Sequence, residues 1–304
     1  MNPLSPGRHQ IEVDGIPQEY EVRGTGSAVC LALSGGPGID DGYLRFPLLE
    51  NELTMVYPTQ VGTTALSRLP SHPDGYTLDT YARFIHAVVE HIAVHRVHLL
   101  GHSAGGFFAQ RYALTHPERL AGLVLYDSMA HNTKELGEEA AARMGDFADR
   151  FADDPRTAAV LATWADDTAR TTDEARTEWL RIMTPAYFAD YWGREEEFAS
   201  LPGLKAAYVT GGSFDHRGRL GDIETPTLVI VGAYDFICGP RWAREMDEEL
   251  PDSTLVTLKE SGHFGHIEQP DEFAAAVIEF VRSVESGGGI HSPASVVHDE
   301  PERP

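Results

Sequence analysis

The sequence predicts a doubly wound α/β fold, a mostly parallel sheet with helices on both faces and one helical insertion. Three observations carry that expectation. Apolar runs with little alternation recur at 28–33, 97–100, 120–126 and 226–232, as strands buried on both faces require. Helical periodicity falls between them, as at 78–92, where Tyr81, Phe84, Ile85, Val88, Val89 and Ile92 share one face. From about 130 to 215 strand-like runs cease and short helical patterns take over.

In order, residues 1–8 read as a loose arm. Alternation in Ile11-Glu12-Val13 and Tyr20-Glu21-Val22 predicts two short strands, with Asp14-Gly15 as their hairpin turn. The run at 28–33 ends in Ser34-Gly35-Gly36-Pro37-Gly38; an amphipathic piece at 43–53 and a strand at 54–57 follow. Residues 59–76 are rich in Gly, Pro, Ser and Thr and read as loop. In the insertion, Leu136, Ala140, Met144, Phe147 and Phe151 form one helical face. Asp153-Asp154-Pro155 and Thr184-Pro185 read as capped helix starts, and Thr171-Thr172-Asp173-Glu174 as a capping box. Trp164, Trp179 and Trp192 are expected to pack between these helices. A helix at 240–250, a strand at 254–258 and a helix at 272–284 complete the pattern. The expected division is a core at 1–129 and 223–285, a helical insertion at 130–222, and a disordered tail at 286–304, which is rich in Gly, Ser, Pro and acid.

The chain has 304 residues, 47 acidic and 24 basic, for a formal charge of −23. Such a balance repels nucleic acid and anionic membrane surfaces. Cys30 and Cys238 form no ligand spacing, so neither a metal nor another cofactor is expected, and two reduced thiols are favoured over one disulfide. Without a leader pattern or a membrane-length apolar run, the expected address is the cytoplasm.

The chemistry centres on Gly101-His102-Ser103-Ala104-Gly105-Gly106, set between a strand and a helix. Strand, G-x-S-x-G, helix is the pattern of a nucleophile elbow, in which a sharp turn holds the serine exposed at the sheet edge. A serine hydroxyl needs a base, and the base needs an acid to fix its tautomer. In such a sheet both lie on loops after later strands. Asp235 follows the strand ending at Gly232, and His263 the strand ending at Leu258; Asp127 and His266 are the second choices.

Together the elbow, the Gly-Gly-Pro-Gly turn, "VGAYDFICGP" and "SGHFGHIEQP" resemble the α/β-hydrolase superfamily, and more narrowly its proline iminopeptidase branch. The likeness runs over roughly residues 10–285. It implies an α/β-hydrolase fold with the insertion as a cap. It also implies a nucleophile at Ser103, an orienting acid at Asp235, a base at His263, and oxyanion N–H groups at Gly36 and Ala104. The implied activity removes an N-terminal residue from small amides or short peptides through an acyl-enzyme, with Glu197 as the amine anchor. Two departures from the branch stand out: Ser34 replaces a histidine, and Thr59-Gln60-Val61-Gly62 replaces Asp-Gln-Arg-Gly. An ester needs no amine anchor, so an esterase, lactonase or thioesterase on the same machinery is the competing expectation. A non-hydrolytic binding cup has no need of all three triad residues. Ser in place of Asp at the elbow disfavours epoxide hydrolysis and dehalogenation.

Overall fold

A computed structural model describes residues 2–199 and 203–287. Eight strands form one sheet in the order β1-β2-β4-β3-β5-β6-β7-β8. They are β1 (Gly7–Val13), β2 (Ile16–Arg23), β3 (Val29–Leu33), β4 (Thr54–Pro58), β5 (Val97–His102), β6 (Leu120–Tyr126), β7 (Thr227–Gly232) and β8 (Ser253–Leu258). β1 and β2 are antiparallel to each other, β2 runs antiparallel to β4, and every later pairing is parallel. Asp14 and Gly15, both at positive φ, make the tight hairpin turn between β1 and β2.

The helices are α1 (Pro47–Glu50), α2 (Leu78–Ile92), α3 (Ala104–Thr115), α4 (Lys134–Arg150), α5 (Thr157–Ala165), α6 (Asp173–Met183), α7 (Glu195–Phe198), α8 (Pro240–Glu249), α9 (Gly265–Glu268) and α10 (Pro270–Glu285). Because side chains alternate along a strand, β3 sends Leu31 and Leu33 to one core and Cys30 and Ala32 to the other. The first core is closed by α2, α3 and α8 through Phe84, Val88, Phe108 and Met246; the second by α10 through Phe273, Val277 and Phe280. Central strands buried on both sides explain why the runs read as continuously apolar.

Between β6 and β7, α4 to α6 pack around a third cluster of Ala140, Met144, Phe147, Val160 and Met183, with Trp164, Trp179 and Trp192 against it. Thr172 caps α6 by accepting from the Ala175 N–H at 3.2 Å, so the cap sits one residue later than a Thr171–Glu174 box requires. Asp154 accepts from the Arg156 N–H at 2.9 Å just before α5, and Thr184–Tyr187 is a single 3-10 turn.

The insertion is less helical than its sequence suggests. From Gly203 to Arg219 the chain is an irregular strap, since its glycines and polar residues interrupt any helical spacing of the buried Ala206, Ala207 and Val209. Backbone bonds tie the strap to the core: the Asp40 N–H donates to the Lys205 carbonyl and the Ala207 N–H to the Gly38 carbonyl, both at 2.9 Å. The predicted 43–53 piece likewise breaks into a 3-10 turn at Asp41–Tyr43 and the four-residue α1, which starts at Pro47. Of the tail expected at 286–304, all beyond Gly287 lies outside the described residues. Among the described residues no helix is long and apolar enough to cross a membrane.

Candidate active site

Ser103 sits between β5 and α3 with φ 53° and ψ −122°, a conformation strongly disfavoured for a residue with a Cβ. Close packing enforces it. A Cβ at Gly101 would strike the Gly105 carbonyl, and one at Gly105 would strike the Leu33 carbonyl. The turn is pinned by the Ser103 N–H donating to the Tyr126 carbonyl and the Ser128 hydroxyl donating to the Ser103 carbonyl, each at 2.9 Å.

His263 follows β8, and its Nδ1 lies 2.7 Å from Oδ2 of Asp235, which follows β7. Both residues are buried. The other carboxylate oxygen of Asp235 accepts from the Ile237 and Cys238 N–H groups at 2.9 and 3.0 Å. An acceptor so held fixes the proton of His263 on Nδ1 and leaves Nε2 unprotonated. Ser103 and His263 line one cavity of about 130 Å³, together with Gly35, Gly36, Tyr187 and Ile237. The two expected partners of Ser103 therefore meet at the elbow.

The second choices have other employment. His266 is buried, with Nδ1 3.0 Å from the Tyr126 hydroxyl and Nε2 3.2 Å from the Tyr43 carbonyl. Burial pushes its pKa down to about 4, which keeps it neutral. Asp127 is wholly buried at positive φ, and its Oδ1 accepts from the Gly232 N–H at 2.8 Å. Burial first, then the neighbouring Asp235 carboxylate, raise its pKa well above the usual carboxylate range. Among the described residues no donor reaches its Oδ2, so a proton there, shared toward Asp235, satisfies both carboxyls.

Gly36 and Ala104 both flank the serine. The Gly35 N–H is taken by the Tyr43 hydroxyl at 2.7 Å, which leaves Gly36, at φ 132°, as the cavity-lining N–H of that turn. Ala104 begins α3, where N–H groups lack helical acceptors. Glu197 is not brought to the cluster. It is exposed on α7 and held by a two-point ion pair to Arg194, at 2.6 and 2.8 Å, which lowers its pKa.

Several site features left little trace in the sequence. Tyr43 donates to Nδ1 of His102 at 2.6 Å, and Nε2–H of His102 donates to the His263 carbonyl at 2.8 Å. His102 stood in the elbow motif, but nothing marked Tyr43. Tyr187 accepts the His263 N–H on its carbonyl at 2.6 Å and lines the cavity. The two departing segments meet: the Gln60 side chain donates to the Ser34 carbonyl, and Ser34 Oγ donates to the Ile39 carbonyl at 3.3 Å. The turn at 34–38 is thus braced by neutral groups.

Cys30 and Cys238 are free and buried. Cys238 brings its sulfur within 4.8 Å of ligand atoms on Asp235 and His263, and His102, Asp127 and His263 are similarly clustered. Both ring nitrogens of His102 are engaged, and burial keeps Cys238 a thiol, so neither trio offers a full set of deprotonated ligands.

A wholly parallel sheet core carrying a strained serine at a strand-to-helix turn, with a His–Asp pair on later loops, defines a hydrolase of the α/β type. The chain belongs to the alpha/beta hydrolase fold family, whose model matches residues 62–270. It is 28% identical over 274 residues to a proline iminopeptidase of Lactobacillus helveticus, covering 82% of this chain and 88% of the relative. Among solved structures it is similar to VinJ, with a TM-score of 0.70, 22% identity, and coverage of 91% of this chain and 99% of that one. It is also similar to a proline iminopeptidase of Mycobacterium smegmatis, with a TM-score of 0.67, 20% identity, and coverage of 92% and 99%.

Proposed function

We propose that this hydrolase is a serine hydrolase that forms and hydrolyses an acyl-enzyme, with Ser103 as nucleophile, His263 as base and Asp235 as the residue that orients it. The observation that carries this reading is the buried 2.7 Å pair between His263 Nδ1 and Asp235, in the cavity that Ser103 enters. His263 Nε2 takes the Ser103 proton as Oγ bonds to the substrate carbonyl carbon. The oxyanion lies toward the N–H groups of Gly36 and Ala104, each such donor being worth about 3 kcal/mol in the transition state. His263 then gives its proton to the leaving group as the acyl bond breaks. Water repeats the sequence, releasing the acid and restoring Ser103.

The substrate is a small acyl compound. An apolar cavity of about 330 Å³, lined by Phe188, Tyr191, Phe198 and Phe264, adjoins the catalytic cavity through Tyr43 and Leu204. Leu180, Tyr187 and Leu204 bring the insertion over the serine, which supports reading 130–222 as a cap. Among the described residues lining the catalytic cavity and its two neighbours there is no carboxylate to hold an α-ammonium group. That favours an ester or thioester. Removal of an N-terminal residue is the second reading, favoured by the proline iminopeptidase relatives. Two buried free thiols fit a reducing cytoplasm.

The test compares a short-chain aryl ester, a proline arylamide and an N-blocked proline arylamide, with Ser103→Ala as the blank. Ester turnover that vanishes in the blank is the expected result. Cleavage of the free-amine arylamide alone would move the assignment to the second reading. Turnover of any of them by Ser103→Ala would overturn the nucleophile assignment.

A further inference from the structure

A second cavity, of about 350 Å³, opens from the catalytic one and shares Gly36, Ile39, Leu180 and Tyr187 with it. Its wall is built by α6, which presents Arg176, Trp179 and Leu180 at helical spacing of i, i+3 and i+4. Arg176 is half-buried, and among the described residues it has no carboxylate partner. Among the described residues its side chain makes one hydrogen bond, a long one of 3.4 Å from Nη1 to the Val209 carbonyl.

The acids near it are committed elsewhere. Asp173 holds Arg68 with one oxygen and accepts the Tyr208 N–H at 2.7 Å with the other. Glu178 forms a two-point pair with Arg181 at 2.7 and 2.8 Å. The second cation of the cavity, Arg170, lies 3.7 Å from Asp166 and over the Trp179 ring at 5.4 Å. Close by, the buried hydroxyl of Tyr81 has no hydrogen-bond partner among the described residues and feels the charge of Arg176.

In a protein with a formal charge of −23, a half-buried guanidinium that no carboxylate pairs is costly unless a ligand supplies the partner. We propose that this cavity is a carboxylate-binding subsite anchored by Arg176, and that the substrate is an acyl compound carrying a free carboxylate on the arm that passes Gly36. The placement beside the serine matters only if Ser103 is the nucleophile, so this inference rests on the serine-hydrolase reading. A planar guanidinium matches a carboxylate at two points. One uncompensated cation balances one monoanion, whereas a phosphate dianion would leave surplus negative charge in a half-buried site.

The test is equilibrium binding, measured by titration calorimetry on Ser103→Ala, which removes turnover. Monomethyl glutarate and dimethyl glutarate have nearly the same shape and differ by one charge. The acid should bind at least about tenfold tighter, as a charge-assisted pair implies, and Arg176→Gln should erase the difference. Equal affinity for the two compounds, no binding of the acid at millimolar concentration, or a preference that survives Arg176→Gln would overturn the proposal. Inorganic phosphate outcompeting the acid would overturn the carboxylate assignment. An unchanged melting temperature for Arg176→Gln checks that the fold is intact. Labelling of the wild type with an aryl fluorophosphonate reads the nucleophile separately. A carboxylate preference without labelling at Ser103 sinks the serine-hydrolase reading and leaves the anion subsite standing.

Discussion

The Nε2–H of His102 donates to the backbone carbonyl of His263 at 2.8 Å, joining the residue before Ser103 to the proposed base. The opposite ring nitrogen accepts from Tyr43, whose oxygen accepts the Gly35 N–H. One neutral imidazole thus ties the His263 loop, through Tyr43, to the turn that carries Gly36. Burial, with His263 and His266 nearby, drives the pKa of His102 well down, which keeps the ring neutral, and its two hydrogen bonds select the tautomer.

Tyr43→Phe breaks this chain at its middle. It leaves the Gly35 N–H and His102 Nδ1 without partners in a buried site, a cost of about 1–3 kcal/mol for each group left unmade. The turn carrying Gly36 also loses its anchor. We expect a lower urea midpoint and roughly a tenfold fall in kcat on the aryl ester, smaller than the loss of an oxyanion donor itself. Unchanged kcat in a destabilised variant would confine Tyr43 to a structural role.

Asp235→Asn keeps the shape of the acid but offers His263 Nδ1 an amide. An Asn oxygen facing the Ile237 and Cys238 N–H groups turns its NH₂ toward His263 and selects the wrong tautomer. By analogy with other triads, kcat should fall by about 10⁴ with the fold retained. Activity within tenfold of wild type would move the acid role to Asp127.

Asp127 separates two variants. Asparagine can accept the Gly232 N–H and donate to Asp235, as the protonated acid does; alanine leaves the Gly232 N–H unpaired. Because the folded state raises this pKa, its contribution is present below the ordinary carboxylate value and is lost as pH rises toward the folded value. Asp127→Asn does not titrate, so its stability relative to wild type should grow between pH 4 and 8, while Asp127→Ala should lose about 1–3 kcal/mol. Urea midpoints across that range decide it; a pH-independent difference for Asp127→Asn would contradict the neutral acid.

Glu268 gives a second pH signature. It accepts the Ala189 and Gly262 N–H groups at 2.8 and 2.7 Å, next to His263, and burial lifts its pKa to about 7. With the folded value raised, its contribution is full below about pH 4.5 and is lost as pH rises through about 7, a loss of up to roughly 3 kcal/mol. Glu268→Gln should flatten the stability profile over this window and weaken the His263 loop, since one amide oxygen replaces two acceptors. An identical slope in the variant would place the titration elsewhere.

The sheet was legible because its signals are local. Apolar runs such as 120–126 and the glycines of the elbow need only nearest neighbours to act, and the strands and α2 formed where periodicity put them. Asp235 and His263 were readable for a related reason, since strand order sends the loops after β7 and β8 to the edge that carries the elbow. The strap after Gly203 was less legible, because tertiary hydrogen bonds to the loops at 38–40 hold it, not any periodicity of its own.

The sequence by itself determined the sheet, the elbow and the residues on the loops after each strand, through backbone preferences and the spacing of apolar side chains. Only tertiary structure decided what those residues face. It turned Glu197 toward Arg194 and away from the serine, joined Tyr43 to His102 and Gly35, and set Arg176 in a cavity with no paired carboxylate among the described residues. The physical reason is distance. Partnership between charged and polar side chains is settled within a few ångströms, among residues that lie far apart in the chain, and no local pattern encodes that meeting.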